Sequence, residues 1–126
     1  MKTGLILFAH GARDPRWAAP FEAVAARVRA TQPGIDVRLA YLELMTPDLP
    51  TAAAELVAAG CGAVTVLPMF LGAGGHVRRD LPEIMDRLRA AHPGVAWQQQ
   101  PPVGELPSVI DALAAAAGAA VASLPA

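Results

Sequence analysis

Cysteine, lysine and aromatic residues are scarce in this 126-residue chain, and the cysteine count and the charge balance each close off a class of protein. Cys61 is the only cysteine, which excludes an internal disulfide and a cysteine-based metal cluster within one chain. Charged residues make up 17% and the formal net charge is −1, so no basic patch points to a nucleic-acid partner. The ten basic residues are nine arginines and one lysine, Lys2. No apolar run reaches the roughly 18 residues of a membrane span. The nearest candidate, Asp111 to Leu124, starts on a charge and is broken by Gly118 and Ser123, so it reads as a terminal packing helix. The chain enters an apolar strand pattern directly after Met-Lys-Thr-Gly, without the long apolar stretch and small-residue cleavage site of a signal peptide. The expected location is therefore the cytoplasm.

Hydrophobic residues are abundant, at 54%, and many are alanine. That composition suits one compact domain, residues 1–126, with a core of thin, closely packed helices. Four short apolar runs, Gly4 to Ala9, Val37 to Leu42, Ala63 to Phe70 and Val95 to Gln99, have strand length. Between and after them lie longer stretches with helical spacing: Arg16 to Thr31, Leu49 to Ala59, Val77 to Ala91 and Leu106 to Ala122. Phe21, Val24, Ala25 and Val28 recur at three- and four-residue steps, as do Leu81, Ile84, Met85 and Leu88. Helix stops are marked by Gln32-Pro33-Gly34, Ala59-Gly60 and His92-Pro93-Gly94. Alternation of this kind predicts right-handed βαβ units, hence a flavodoxin- or Rossmann-like α/β sandwich with about four parallel strands covered on both faces.

Parallel α/β sheets present ligands at the carboxyl ends of their strands. The first predicted strand is followed by Ala9-His10-Gly11-Ala12-Arg13-Asp14-Pro15, and the second by Glu43-Leu44-Met45-Thr46-Pro47. The third is followed by a glycine-rich loop from Leu71 to Asp80 that contains Gly72, Gly74, Gly75, His76, Arg78 and Arg79. The fourth leads into Pro101-Pro102-Val103-Gly104-Glu105. His10, His76 and Glu43 thus emerge on one edge from three strands, whereas His92 falls in a turn at the opposite edge.

Two neutral imidazoles and one carboxylate suit a borderline divalent ion such as cobalt, nickel or iron, and leave coordination positions open. The glycines let the loop approach a bulky planar ligand. Arg13, Arg78 and Arg79 offer forked donors to carboxylates on it. Each residue also has a plainer role. His10 could bond to backbone at the strand end, His76 could cap the helix that follows, and Glu43 could be a solvated loop charge. The glycine loop could be an anion nest, although it lacks the Lys-Ser/Thr of a phosphate loop. Two arginines at a helix start oppose the helix dipole and call for an anionic partner, which Asp80 or Glu83 could supply. Cys61, ahead of the third strand, reads as buried and inert. Trp17 and Trp97 read as packing residues.

Four segments together resemble a known family: His-Gly-Ala-Arg-Asp-Pro from His10, Tyr41 to Pro50, Val66 to Ile84, and Pro101 to Pro107. From Leu5 to about Leu113 the chain is similar to the short CbiX-type sirohydrochlorin chelatases, the class that includes sirohydrochlorin ferrochelatase. The resemblance implies insertion of a divalent metal into a reduced, octacarboxylic tetrapyrrole without ATP. It implies His10 and His76 as the metal-site histidines and Glu43 as the supporting carboxylate, ligand or proton acceptor. Arg13, Gly74, Gly75, Arg78 and Arg79 would hold the macrocycle. The metal (cobalt first, with iron or nickel as alternatives) would be a substrate, and no cofactor would be permanently bound. Relatives usually carry serine where this chain has Ala12, so no hydroxyl is available there. Longer members fuse two such domains, which makes a homodimer the expected form of a short one. The rival readings are a non-catalytic carrier of metal or tetrapyrrole and a histidine-type phosphate-transfer enzyme. The second lacks the arginine before the His-Gly pair, because Ala9 stands there.

Overall fold

A computed structural model describes residues 2–72 and 74–125; Ala73, in the glycine loop, lies outside the described residues. Its elements are β1 (Lys2–Ala9), a 3-10 turn (Pro15–Ala18), α1 (Ala19–Thr31), β2 (Ile35–Tyr41), α2 (Leu49–Ala58) and β3 (Cys61–Pro68). Then follow α3 (Gly75–Ala91), β4 (Ala96–Gln99), a second 3-10 turn (Val103–Glu105) and α4 (Pro107–Ala122). The sheet has the order β2-β1-β3-β4 and every pair is parallel.

Element types match the sequence reading, and the shifts at their ends have local causes. The helix expected from Arg16 starts at Ala19. Ahead of it the Asp14 carboxylate accepts the Arg16 N–H at 2.9 Å, and Pro15 sits at the start of a separate 3-10 turn. The α3 helix begins at Gly75, two residues earlier than expected, so His76 lies inside its first turn rather than before it. Cys61 is the first residue of β3 rather than a loop residue, and burial pushes its thiol pKa up. At α2, Asp48 accepts the Thr51 N–H at 2.9 Å, a side-chain cap that satisfies one of the helix's orphan donors.

The two faces of the sheet are covered unequally. On one face α2 and α3 pack Leu49, Ala52, Ala53, Leu56, Leu81, Met85 and Leu88 onto Ile6, Phe8, Val64, Val66 and Trp97. Ala52 and Ala53 are wholly buried, so small side chains do bring helix close to sheet. Burying a side chain such as Phe8 or Leu56 contributes about 1.5–3 kcal/mol. On the other face α1 covers β1 and β2 through Ala25 and Val28 against Leu7 and Val37. The β3 residues of that face, Ala63, Thr65 and Leu67, stay half-buried, and Ala96 and Gln98 of β4 are exposed. Coverage of both faces was expected, yet one half of this face is open. The terminal packing helix is likewise corrected: α4 is helical, but none of its residues is buried.

Candidate functional site

Chain direction across the sheet reverses between β1 and β3, because β1 leads outward to β2 while β3 leads outward to β4. In open parallel sheets the crevice at such a reversal is where ligands bind. His10 leaves the end of β1 on one side of it, and the Phe70–His76 segment leaves β3 on the other.

Backbone hydrogen bonds zip these loops together beyond the strands. The Leu42 N–H donates to the Ala9 carbonyl at 2.9 Å and the Glu43 N–H to the His10 carbonyl at 3.1 Å. Met69 N–H donates to Phe8 at 2.7 Å, and Gly104 N–H to Phe70 at 2.9 Å. Two glycines make this approach possible. Gly11 has φ +89°, and a Cβ there would strike the Glu43 carbonyl oxygen. A Cβ on Gly104 would strike the Leu71 backbone. The backbones of His10 and Glu43 are therefore fixed side by side.

The exposed His10 ring packs on Phe70, with centroids 4.4 Å apart and planes at 40°. Phe70 is itself buried and meets Phe8 edge-on at 5.9 Å. Core packing thus reaches through Phe70 to set the histidine. His76 is exposed in the first turn of α3, after the N-cap Gly74. A Cβ on Gly72, Gly74 or Gly75 would meet nothing within 4 Å, and none of the three has a positive φ. Among the described residues neither packing nor backbone conformation demands glycine at these positions. Among the described residues, no three His, Cys, Asp or Glu side chains are gathered as a metal cage.

A cleft of about 380 Å³ opens beside the glycine loop, with Phe70, Val77, Arg78, Leu81, Gln99 and Glu105 in its wall. Arg78 reaches Glu105 at 3.3 Å, so its anionic partner comes from the loop after β4 rather than from Asp80 or Glu83. Glu105 is a site residue that sequence reasoning passed over, although it lay on the same strand-end edge as the residues singled out. Phe70 was missed too, because it read as a core strand residue. Among the described residues Arg79 and Arg13 have no ion-pair or hydrogen-bond partner. Arg13 lies apart from the cleft, in a hollow of about 360 Å³ with Tyr41, Met45 and Glu22. Glu43 borders another hollow, shared with Tyr41, Leu42 and Asp48. Leu42, Leu44 and Leu71 are 38%, 58% and 73% exposed along this edge, an unusual concentration of apolar surface next to imidazole and guanidinium.

These features define an α/β protein that presents imidazoles, guanidiniums and an apolar edge at its strand-reversal crevice. The family model CbiX matches residues 4–120, and the chain belongs to the CbiX family. It is 32% identical over 81 residues to a sirohydrochlorin cobaltochelatase of Methanococcus maripaludis, covering 64% of this chain and 56% of that one. A second such cobaltochelatase, from Methanothermobacter thermautotrophicus, is 33% identical over 86 residues, 67% of this chain and 58% of its own. The chain thus spans less than two thirds of the length of these relatives.

Among solved structures, a putative cobalamin biosynthesis CbiX protein from Marinobacter aquaeolei VT8 superposes with a TM-score of 0.83 at 33% identity, over 97% of this chain and 99% of that one. The sirohydrochlorin chelatase SirB from Bacillus subtilis subspecies spizizenii, solved with cobalt, shares the fold with a TM-score of 0.78 at 23% identity, over 91% of this chain and 49% of its own. Among the described residues no helix is long and apolar enough to cross a membrane.

Proposed function

We propose that this protein is a cytoplasmic chelatase that inserts a divalent metal ion into a sirohydrochlorin-type tetrapyrrole without ATP. What supports the reading is that His10 and His76 follow β1 and β3, the adjacent strands at the chain reversal, on an edge that also carries exposed leucines, open glycines and arginines. A planar macrocycle with a carboxylate rim needs that combination: apolar surface under its face, room for its approach and guanidinium at its edge.

In this reading His10 and His76 hold the incoming metal, and the macrocycle nitrogens complete its coordination. Glu43, tied through its backbone to His10, serves as a third ligand or accepts a proton. Insertion replaces two N–H protons with one dication, so two protons must leave, and imidazole or carboxylate can take them. Arg78 and Arg79 hold carboxylates of the macrocycle from the start of α3, with Gly74 and Gly75 leaving space for its rim. Arg13 holds a carboxylate farther round. The metal is a substrate, cobalt in the first place, and the protein needs no resident cofactor. Imidazole and carboxylate also release metal more readily than thiolate, and the only thiol, Cys61, is buried at the opposite end of β3.

The test is direct. Purified protein mixed with sirohydrochlorin and Co²⁺, Fe²⁺ or Ni²⁺ should accelerate the spectral change of metal insertion, fastest with Co²⁺ at limiting metal. A carrier would bind metal or tetrapyrrole in stoichiometric amounts and leave the insertion rate at its uncatalysed value, and that result would overturn the proposal.

A further inference from the structure

The two histidines at the strand-end edge are held differently. Both are exposed, and among the described residues neither imidazole makes a hydrogen bond. A histidine that holds a metal is ordinarily oriented by a hydrogen bond from its other ring nitrogen to a carboxylate or carbonyl. His10 has an aromatic ring in that role instead. Its imidazole lies on Phe70, with centroids 4.4 Å apart and planes at 40°. His76, in the first turn of α3, has no ring beside it among the described residues.

Phe70 is itself immobilised from several directions. Phe8 meets its ring edge-on from the core, the Met69 N–H just before it donates to the Phe8 carbonyl at 2.7 Å, and its own carbonyl accepts the Gly104 N–H at 2.9 Å. It is buried although it lies past the end of β3. Filling the core there needs only apolar volume, which leucine or methionine supplies as well. A flat ring adds a face on which an imidazole can settle. The His10 backbone is held too, because its carbonyl accepts the Glu43 N–H at 3.1 Å. The freedom left to His10 is in its side-chain torsions, and the contact with Phe70 restricts those. An exposed side chain without such a contact changes rotamer in picoseconds to nanoseconds and loses that freedom when it binds.

We infer that Phe70 is a positioning residue for metal insertion: its ring sets the His10 imidazole in place before the divalent ion arrives, whereas His76 is ordered only by the ion. The inference rests on the reading of His10 as a holder of metal, and it makes the two histidines unequal partners in that role.

The test is the affinity of the metal-free protein for Co²⁺ alone, read by calorimetry without tetrapyrrole. Phe70→Leu should weaken it about threefold to tenfold, the cost of immobilising one freed side chain. Phe70→Met, which fills the volume without a ring, should do the same and serves where the leucine variant does not fold. Phe70→Tyr keeps the ring face and should bind like the parent. The loss should vanish in a His10→Ala background and persist in a His76→Ala background, which is coupling to one histidine only. In the unaltered protein a nuclear Overhauser contact should join the ring protons of His10 and Phe70. The inference is overturned if that contact is absent, if Phe70→Tyr binds as weakly as Phe70→Leu, or if the loss is the same with and without His10. It is overturned alone if His10→Ala weakens Co²⁺ binding while Phe70→Leu and Phe70→Met bind like the parent. If His10→Ala itself leaves Co²⁺ affinity unchanged, the reading of His10 as a metal holder falls, and this inference with it.

Discussion

Among the described residues, and apart from Val24, the large apolar side chains left exposed lie either on the strand-end edge, at Leu42, Leu44 and Leu71, or on α4 and just after it, at Ile110, Leu113, Val121 and Leu124. The two regions differ in everything else. The edge also carries His10, Glu43, His76 and arginines, and the loops after β1, β2 and β3 are tied by backbone hydrogen bonds, with Gly11 and Gly104 at contacts that leave no room for a side chain. On α4 the apolar residues are accompanied by alanine, and no side-chain hydrogen bond ties the helix to the rest of the chain among the described residues. Apolar exposure alone is therefore ambiguous.

The comparison can be broken most severely at the histidines. His10→Ala and His76→Ala should each lower catalysed metal insertion by at least about 100-fold, the range of a lost ligand or proton-transfer group. Sedimentation and thermal unfolding should stay as in the parent, because both side chains are exposed. Glu43→Gln should slow insertion less. Near-normal rates in both histidine variants would reduce the edge to an apolar surface of the α4 kind.

Next in size is a contrast between two glycines of the edge. Gly11→Ala forces a side chain into positive φ and against the Glu43 carbonyl, and should cost about 2 kcal/mol in chemical denaturation. Gly75→Ala meets open space, so stability should not fall, while sirohydrochlorin affinity should.

Arg78→Ala should weaken sirohydrochlorin binding about tenfold, equivalent to about 1.4 kcal/mol, without altering metal affinity. Glu105→Gln removes the carboxylate that competes for Arg78 and should tighten binding a few-fold, read by fluorescence or absorbance titration. Unchanged affinity in both variants would move the rim contact to Arg79 or Arg13.

The smallest effect belongs to the end of the sheet remote from the site. Arg38 donates to Asp36 at 3.1 Å, and Lys2 lies 3.3 Å from it. The Arg38 hydrogen bond, with help from Lys2, holds the Asp36 carboxyl below its ordinary value. A depressed carboxylate stabilises the fold above its unfolded pKa of about 3.9, and that contribution is lost as pH falls through the lower folded value. Asp36→Asn should therefore cost up to about 1 kcal/mol near pH 7, and the gap to the parent should narrow below about pH 4. A gap that stayed constant into acid would show that Asp36 acts through packing, not charge. Either way the edge and α4 should be untouched.

Sequence alone determined the elements and the side of the sheet on which to look. Apolar runs of strand length and helical repeats are local signals, and in a parallel sheet every strand ends on the same edge, so His10, Glu43 and His76 could be grouped before any coordinates. Gly11 and Gly104 were legible as motif letters but not as contacts. Their need for glycine comes from the Glu43 and Leu71 backbones, which are distant in sequence. Phe70 under His10 and Glu105 on Arg78 belong to the same kind of information, pairs made by adjacent strand ends. The fate of α4 was the least legible. Its composition dictates a helix that should be covered, but which surface covers it depends on the crossovers. Those crossovers put α2 and α3 on one face and leave half of the other open, so only the tertiary structure decided that α4 meets chiefly the Val103–Glu105 turn and buries none of its described residues.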